Sequence, residues 1–147
     1  MIEGLNADNI GECAKLAYRL WPDANFEKLM NGFIDIMDSD KGDCFLYYED
    51  ETAKEYLGFA QVSMRFDYVE GSDSSPVAYL EGIYVKDENR RKGIAMALVK
   101  RAEEWGREKG CSEMASDCSL DNYLSIDFHN GIGFEEANRL VCFIKRI

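Results

Sequence analysis

The chain has 147 residues and a formal net charge of −11, so one domain over residues 1–147 is expected, and nucleic acid is excluded as the main partner because phosphate binding needs a surplus of Lys and Arg. The five cysteines, Cys13, Cys44, Cys111, Cys118 and Cys142, are odd in number and form no C-x-x-C, which excludes a disulfide framework or a zinc pattern and suits a reducing cytoplasm. No apolar run approaches the roughly 20 residues of a membrane span, and Met1–Asn9 lacks the basic and apolar regions of a signal peptide.

Residues 1–5 fit a short edge strand. From Ile10 to Leu20, Ile10, Cys13, Ala14, Ala17, Tyr18 and Leu20 recur at helical spacing, and Trp21-Pro22 ends that helix. A second helix is expected over Asn25–Met37, with Asn25 as N-cap and Phe26, Leu29, Met30, Phe33, Ile34 and Met37 as its stripe. Lys41-Gly42-Asp43 reads as a turn, Cys44–Tyr48 as a strand and Asp50–Glu55 as a charged turn. Tyr56–Phe66 is the next strand, in which Gly58 marks a bulge or a close backbone approach. A polar loop, Asp67–Pro76, leads into a strong strand, Val77–Val85.

Lys86–Lys92 is a charged loop. The helix after it runs from Gly93 to Lys109, with Ile94, Leu98, Ala102 and Trp105 on one face and Gly110 in the C′ position. Ser112–Cys118 reads as a strand, Asp121–Asn130 as a short helix, and Phe134 onward as one or two final strands. The order is β-α-α-β-β-β-α-β-α-β-β, with early antiparallel pairing and one parallel crossover. It predicts a mixed, mainly antiparallel sheet flanked by helices, of the α/β (α+β) class.

The most informative segment is the strand around Tyr79–Val85 and the turn Arg90-Arg91-Lys92-Gly93-Ile94-Ala95. The first turn of a helix leaves backbone N–H groups unpaired and carries partial positive charge, which makes it an anion site. Gly93 allows close backbone approach, and three basic residues add charge in an acidic chain. Neither a Walker motif nor G-x-G-x-x-G is present. A solvated basic loop is the other reading of these residues.

Arg90-x-x-Gly93-x-Ala95 after a strand resembles the (Q/R)-x-x-G-x-(G/A) motif of GNAT acetyltransferases, with Asn122 and Gly133-Phe134 downstream in keeping. Longer strings are similar to aminoglycoside 6′-N-acetyltransferases. They are Leu20-Trp21-Pro22, Asp67–Gly71, Asp73–Pro76, Leu80–Ile83, Glu113–Asp117 and Gly133–Glu136. The resemblance implies acetyl-CoA as co-substrate, no metal, a homodimer and transfer to the 6′-amine of an aminoglycoside. It implies that Ile83, Tyr84 and Val85 pair their backbone with the pantetheine arm, and that Arg90, Arg91, Lys92, Gly93, Ile94 and Ala95 cradle the pyrophosphate. Asn122 would bond the cofactor near its reactive end. Trp21, Tyr68, Glu81 and Asp117 would line the drug site, with Glu136 and Asn138 near it.

The residue types suit that chemistry. Ammonium groups need carboxylates, and Trp21 and Tyr68 offer flat faces for a sugar ring. Trp21 equally fits a core anchor, Tyr68 a loop cover and Asp117 an Asx turn. Glu81 is a carboxylate inside an apolar strand and is the candidate general base. Alternation puts it on the face of Ile83 and Val85 unless a bulge intervenes. His129 aligns where relatives carry a tyrosine acid and is the candidate donor to the leaving thiolate, with a structural role as its other reading. Asn138 stands where related enzymes carry an acidic residue. A polyamine, a protein N-terminus or lysine as acceptor, and a non-catalytic acetyl-CoA-binding module, stay open at this point.

Overall fold

The computed structural model describes all 147 residues. Five strands form one sheet in the order β1-β2-β3-β4-β5. They are β1 Ile2–Gly4, β2 Gly42–Tyr48, β3 Tyr56–Arg65, β4 Val77–Val85 and β5 Met114–Ser116. The pairs from β1 to β4 are antiparallel and β4–β5 is parallel. The helices are α1 Ile10–Leu20, α2 Phe26–Met37, α3 Ile94–Glu108 and α4 Tyr123–Gly131.

The sheet is covered on both faces. On one, Cys13, Ala14 and Ala17 of α1 and Phe33 of α2 pack on Cys44, Leu46 and Phe59. On the other, Leu98, Val99, Ala102 and Trp105 of α3 pack on Phe45, Ala60, Val62 and Leu80. Cys44 and Leu46 thus face one layer while Phe45 faces the other, as side-chain alternation along a strand requires. Asn25 caps α2 by accepting from the Lys28 amide at 3.1 Å. Gly110, at φ +83°, closes α3 as the stripe and glycine indicate.

Two bulges reset the alternation. Tyr48 pairs with Tyr56 and Tyr47 with Gly58, which leaves Leu57 as an extra residue in β3. A Cβ on Gly58 would lie 2.7 Å from the Tyr84 carbonyl oxygen, so the close approach expected there is present as well. In β4, Leu80 pairs with Val62 and Gly82 with Gln61, so Glu81 is the extra residue.

The class and the element order agree with the sequence as far as α4. The final strands expected from Phe134 onward are not formed: residues 132–147 carry no helix or strand. A strand exists only against another strand's free edge. Here the chain after α4 turns instead to the 67–76 loop, where Asn138 Nδ2 donates to Glu70 at 2.9 Å. β5 is also shorter than the expected Ser112–Cys118, because β4 pairs with it only from Ala78 to Leu80.

Candidate active site

β4 and β5 stay together from Ala78↔Met114 to Leu80↔Ser116 and then part. Beyond that point Glu81–Val85 has β3 on one side and no strand on the other. Lys86 N–H donates to the Leu57 carbonyl on β3 at 2.9 Å. Backbone groups alternate in direction along a strand, so Tyr84 also turns its N–H and C=O to β3, while Ile83 and Val85 turn theirs to the open edge. Of Ile83, Tyr84 and Val85, only Ile83 and Val85 therefore present backbone to that cleft. Such an edge accepts an extended, amide-bearing molecule in place of a strand.

At the far end of the cleft the chain makes a 3-10 turn, Asp87–Asn89, before α3. Arg91 and Gly93 have φ +65° and +80°. Ala97 is the first α3 amide to reach a carbonyl four residues back, that of Gly93 at 3.0 Å. The amides of Ile94, Ala95 and Met96 remain at the helix start, where they form an anion site. A Cβ on Gly93 would meet no protein atom within 4 Å, so this backbone faces open space. Arg91 and Lys92 are exposed beside it. Arg90 is folded back: Nε donates to the Val85 carbonyl at 3.2 Å and Nη2 pairs with Asp87 at 2.9 Å. It ties the turn to the end of β4.

The bulge decides where Glu81 points. Leu80 and Val85 lie in the layer under α3, with Ile83 packed against it. Glu81 does not share that face; it lies with Ser63 and Arg65 of β3. Ser63 Oγ donates to Oε1 at 2.6 Å, and Arg65 forks onto both oxygens at 3.0 and 2.8 Å. A carboxylate has about four acceptor sites, so one on Oε2 stays open. The Arg65 guanidinium carbon lies 3.3 Å from the centroid of the Tyr79 ring. Tyr79 donates its hydroxyl to Asp117. Burial, and then that hydrogen bond, raise the Tyr79 pKa, which keeps it a neutral donor.

Trp21, the C-cap of α1, borders the same place. A Cβ on Gly82 would lie 2.6 Å from two carbons of its ring, so the indole rests directly on the bulge. Trp21, Glu81 and Asp117 are thus gathered around one segment of β4.

His129, on α4, reaches the point where β4 and β5 part, with Nε2 2.8 Å from Ser116 Oγ. Asn122 caps α4 through Oδ1, which accepts from the Ser125 amide at 3.2 Å, and its Nδ2 is left to bond a ligand. Tyr68, 78% exposed, stands on the 67–76 loop rather than against Glu81. Glu136 accepts from Arg139, and Asn138 donates through Nδ2 to Glu70 at 2.9 Å.

The sequence reading missed Ser63, Arg65, Tyr79 and Ser116. Arg65 and Tyr79 read there as strand residues, and Ser116 as one string among several. The signal for the bulge was legible: Gly82 follows Glu81 inside a strand.

The acetyltransferase (GNAT) family profile matches residues 10–134. The aminoglycoside N(6′)-acetyltransferase type 1 of Salmonella typhimurium is 38% identical over 145 residues, covering 99% of this chain and 98% of the relative. That of Serratia marcescens is 37% identical over 147 residues, covering 100% and 99%. The structure of AAC(6′)-Iy with the bisubstrate analogue CoA-S-monomethyl-acetylneamine superposes with a TM-score of 0.95 at 37% identity, covering 100% of this chain and 98% of that one. On its sequence, its sheet and its parted β4 and β5, this chain belongs to the GNAT acetyltransferase family.

Proposed function

We propose that the protein is one catalytic domain that transfers the acetyl group of acetyl-CoA to the 6′-amine of an aminoglycoside. The observation that carries this is the cleft: it runs from the open amides of α3 along the free edge of β4 to the Glu81 carboxylate. The bisubstrate analogue bound in the structure of a relative 37% identical supports both: its CoA part the cofactor, and its acetylneamine part the acceptor.

In this reading the pyrophosphate lies on Gly93–Ala95, with Arg91 and Lys92 beside it. The pantetheine arm lies along Ile83 and Val85, and Asn122 Nδ2 bonds near its reactive end. Glu81 and Asp117 hold ammonium groups, and Trp21 faces a sugar ring, with Tyr68 closing over it from the loop. The reacting amine must be neutral, and Glu81 takes its proton directly or through a water at the open Oε2 site. A backbone N–H on the open edge of β4 stabilises the oxyanion. His129 is the source of the proton for the departing thiolate.

A steady-state assay for released thiol tests the reading. Turnover is expected with kanamycin A and not with spermidine or a lysine peptide. Turnover confined to spermidine or the peptide replaces the acceptor, and acetyl-CoA binding without turnover leaves a binding module.

Gly93→Ala tests the cofactor turn. Its methyl would stand in the open space at the helix start. Loss of one charge-assisted hydrogen bond, roughly 1.5 kcal/mol, corresponds to an affinity for acetyl-CoA about tenfold weaker by calorimetry. The φ of +80° adds a stability loss of about 1 kcal/mol, read separately from Tm. Unchanged affinity in the folded variant places the pyrophosphate elsewhere.

The protein works as a homodimer in this reading, in a reducing compartment that suits five free thiols. Phe143 and Ile144 are 92% and 98% exposed, and Leu140, Val141 and Ile147 are exposed beside them. A contiguous apolar segment of this kind needs a cover, and the free edge of β5 needs a strand. The tail of a second copy supplies one for the other. Light scattering should give a dimer for the full chain and a monomer for a chain ended at Arg139. A monomeric full chain contradicts this.

A further inference from the structure

The His129 ring is set edge-on between Phe128 and Phe134, at centroid distances of 5.7 and 5.2 Å. Its Nδ1 lies 2.6 Å from the Ser125 carbonyl oxygen, with Ser125 Oγ at 3.3 Å. A carbonyl only accepts, so Nδ1 carries a proton, and in the neutral ring Nε2 is the acceptor. Ser116 Oγ therefore donates to Nε2 across the 2.8 Å between them.

Ser116 occupies the last position at which β5 pairs with β4, opposite Leu80, and its Oγ lies 3.3 Å from the Leu80 carbonyl oxygen. Leu80 immediately precedes the bulged Glu81. The hydroxyl thus stands at the vertex where the cleft begins. A hydroxyl, an imidazole that accepts from it, and a third group that fixes the imidazole are the parts that ready a hydroxyl for proton transfer.

We propose that Ser116 and His129 form a proton relay that carries the second proton of the reacting amine to the sulfur of coenzyme A. The proposal rests on the reading of the cleft as the acetyl-transfer site and deepens it. After Glu81 has taken the first proton, the amine nitrogen bonds to the thioester carbon, and the carbonyl becomes an oxyanion. The nitrogen of that adduct is cationic and gives a proton to Ser116 Oγ, while Ser116 passes its own to His129 Nε2. The oxyanion then re-forms the carbonyl and the C–S bond breaks, its electron pair leaving on sulfur. Ser116 protonates the sulfur and recovers its proton from Nε2. Amide, free thiol and the starting relay result, and the first proton goes from Glu81 to solvent. Ser116 touches the reacting atoms; His129 positions and recharges it.

The test is the single-turnover rate of acetyl transfer to kanamycin A, with the KM for acetyl-CoA measured alongside. Ser116→Ala should slow transfer about a hundredfold, the lower range for loss of an acid–base group. Ser116→Thr, which keeps the hydroxyl, should restore most of it, and KM should stay near the wild-type value in both. His129→Phe should match Ser116→Ala, and the double variant should be no slower than the slower single one. A Ser116→Ala rate equal to the wild type, or losses that multiply in the double variant, overturns the relay. Where His129→Phe does not fold, Ser116→Ala and Ser116→Thr decide alone. A wild-type enzyme that leaves kanamycin A unmodified overturns the functional reading itself; transfer at the wild-type rate in Ser116→Ala overturns only the relay.

Discussion

Glu81→Gln is expected to lower kcat/KM for an aminoglycoside by about a hundredfold to ten-thousandfold, the usual worth of a positioned general base. The substitution keeps the shape of the side chain and the acceptor for Ser63. It removes the anion that Arg65 grips with two hydrogen bonds of 3.0 and 2.8 Å, and with it the ion pair that fixes the bulge side chain. The open Oε2 site then loses both its charge and its basicity. KM rises if the same site also holds an ammonium group of the drug. A pH–rate profile separates the two effects. Wild-type kcat/KM should rise with pH as the amine loses its proton, and the deficit of Glu81→Gln should shrink at high pH, where free amine is abundant. A variant that loses little activity at neutral pH removes Glu81 from proton transfer and leaves it as a binding or structural group.

Gly82→Val is expected to damage the acceptor side while leaving the cofactor side in place. The new Cβ would lie 2.6 Å from two ring carbons of Trp21, too close for any real contact, and a tight 3.1 Å from Leu20 Cδ2. Trp21 cannot simply slide, because it also packs edge-on against Phe59 at 6.1 Å and caps α1. Overpacking of this kind costs about 1–3 kcal/mol, read as a fall in Tm. Displacing the indole by about 1 Å costs on the order of a hundredfold in kcat/KM for the drug. Affinity for acetyl-CoA should change little, since Ile83, Val85 and the α3 turn are untouched. Adding Trp21→Phe should recover Tm by making room, without recovering KM for kanamycin A. Wild-type kinetics in Gly82→Val would show that the indole does not wall the acceptor site.

The parts of the fold read most directly from the sequence were those with a long periodic stripe or a single-residue signal. α1, α2 and α3 lie where their apolar spacing puts them, and Asn25, Gly58, Gly93 and Gly110 act at the backbone as their types require. The final strands were not formed because strand character is a property of a pair. Leu140–Ile147 is apolar enough for a strand, but within one chain it does not pair with the free edge of β5. β5 is shorter than its sequence suggests for the same reason, since its ladder with β4 ends at Leu80↔Ser116.

In the site, glycine and carboxylate were visible by type, but their surroundings were not. Arg65 lies 16 residues from Glu81, and His129 lies 13 from Ser116. Contacts at that separation follow from register and from the bulge, which no local pattern in β3 or α4 encodes. The same bulge turned Glu81 away from the Ile83 and Val85 face that simple alternation gives it. Glu136 and Asn138 are expected near the drug from a resemblance in the last strands; here they contact Arg139 and Glu70.

The central claim is regiospecific acetyl transfer in the β4–β5 cleft. Its most direct test is the product formed from acetyl-CoA and kanamycin A, read by tandem mass spectrometry, beside an analogue with a hydroxyl in place of the 6′-amine. A single acetyl group is expected, on the 6′-nitrogen of kanamycin A, with no N-acetyl product from the analogue. Acetylation at another amine, equal N-acetylation of the analogue, or no transfer to either contradicts it.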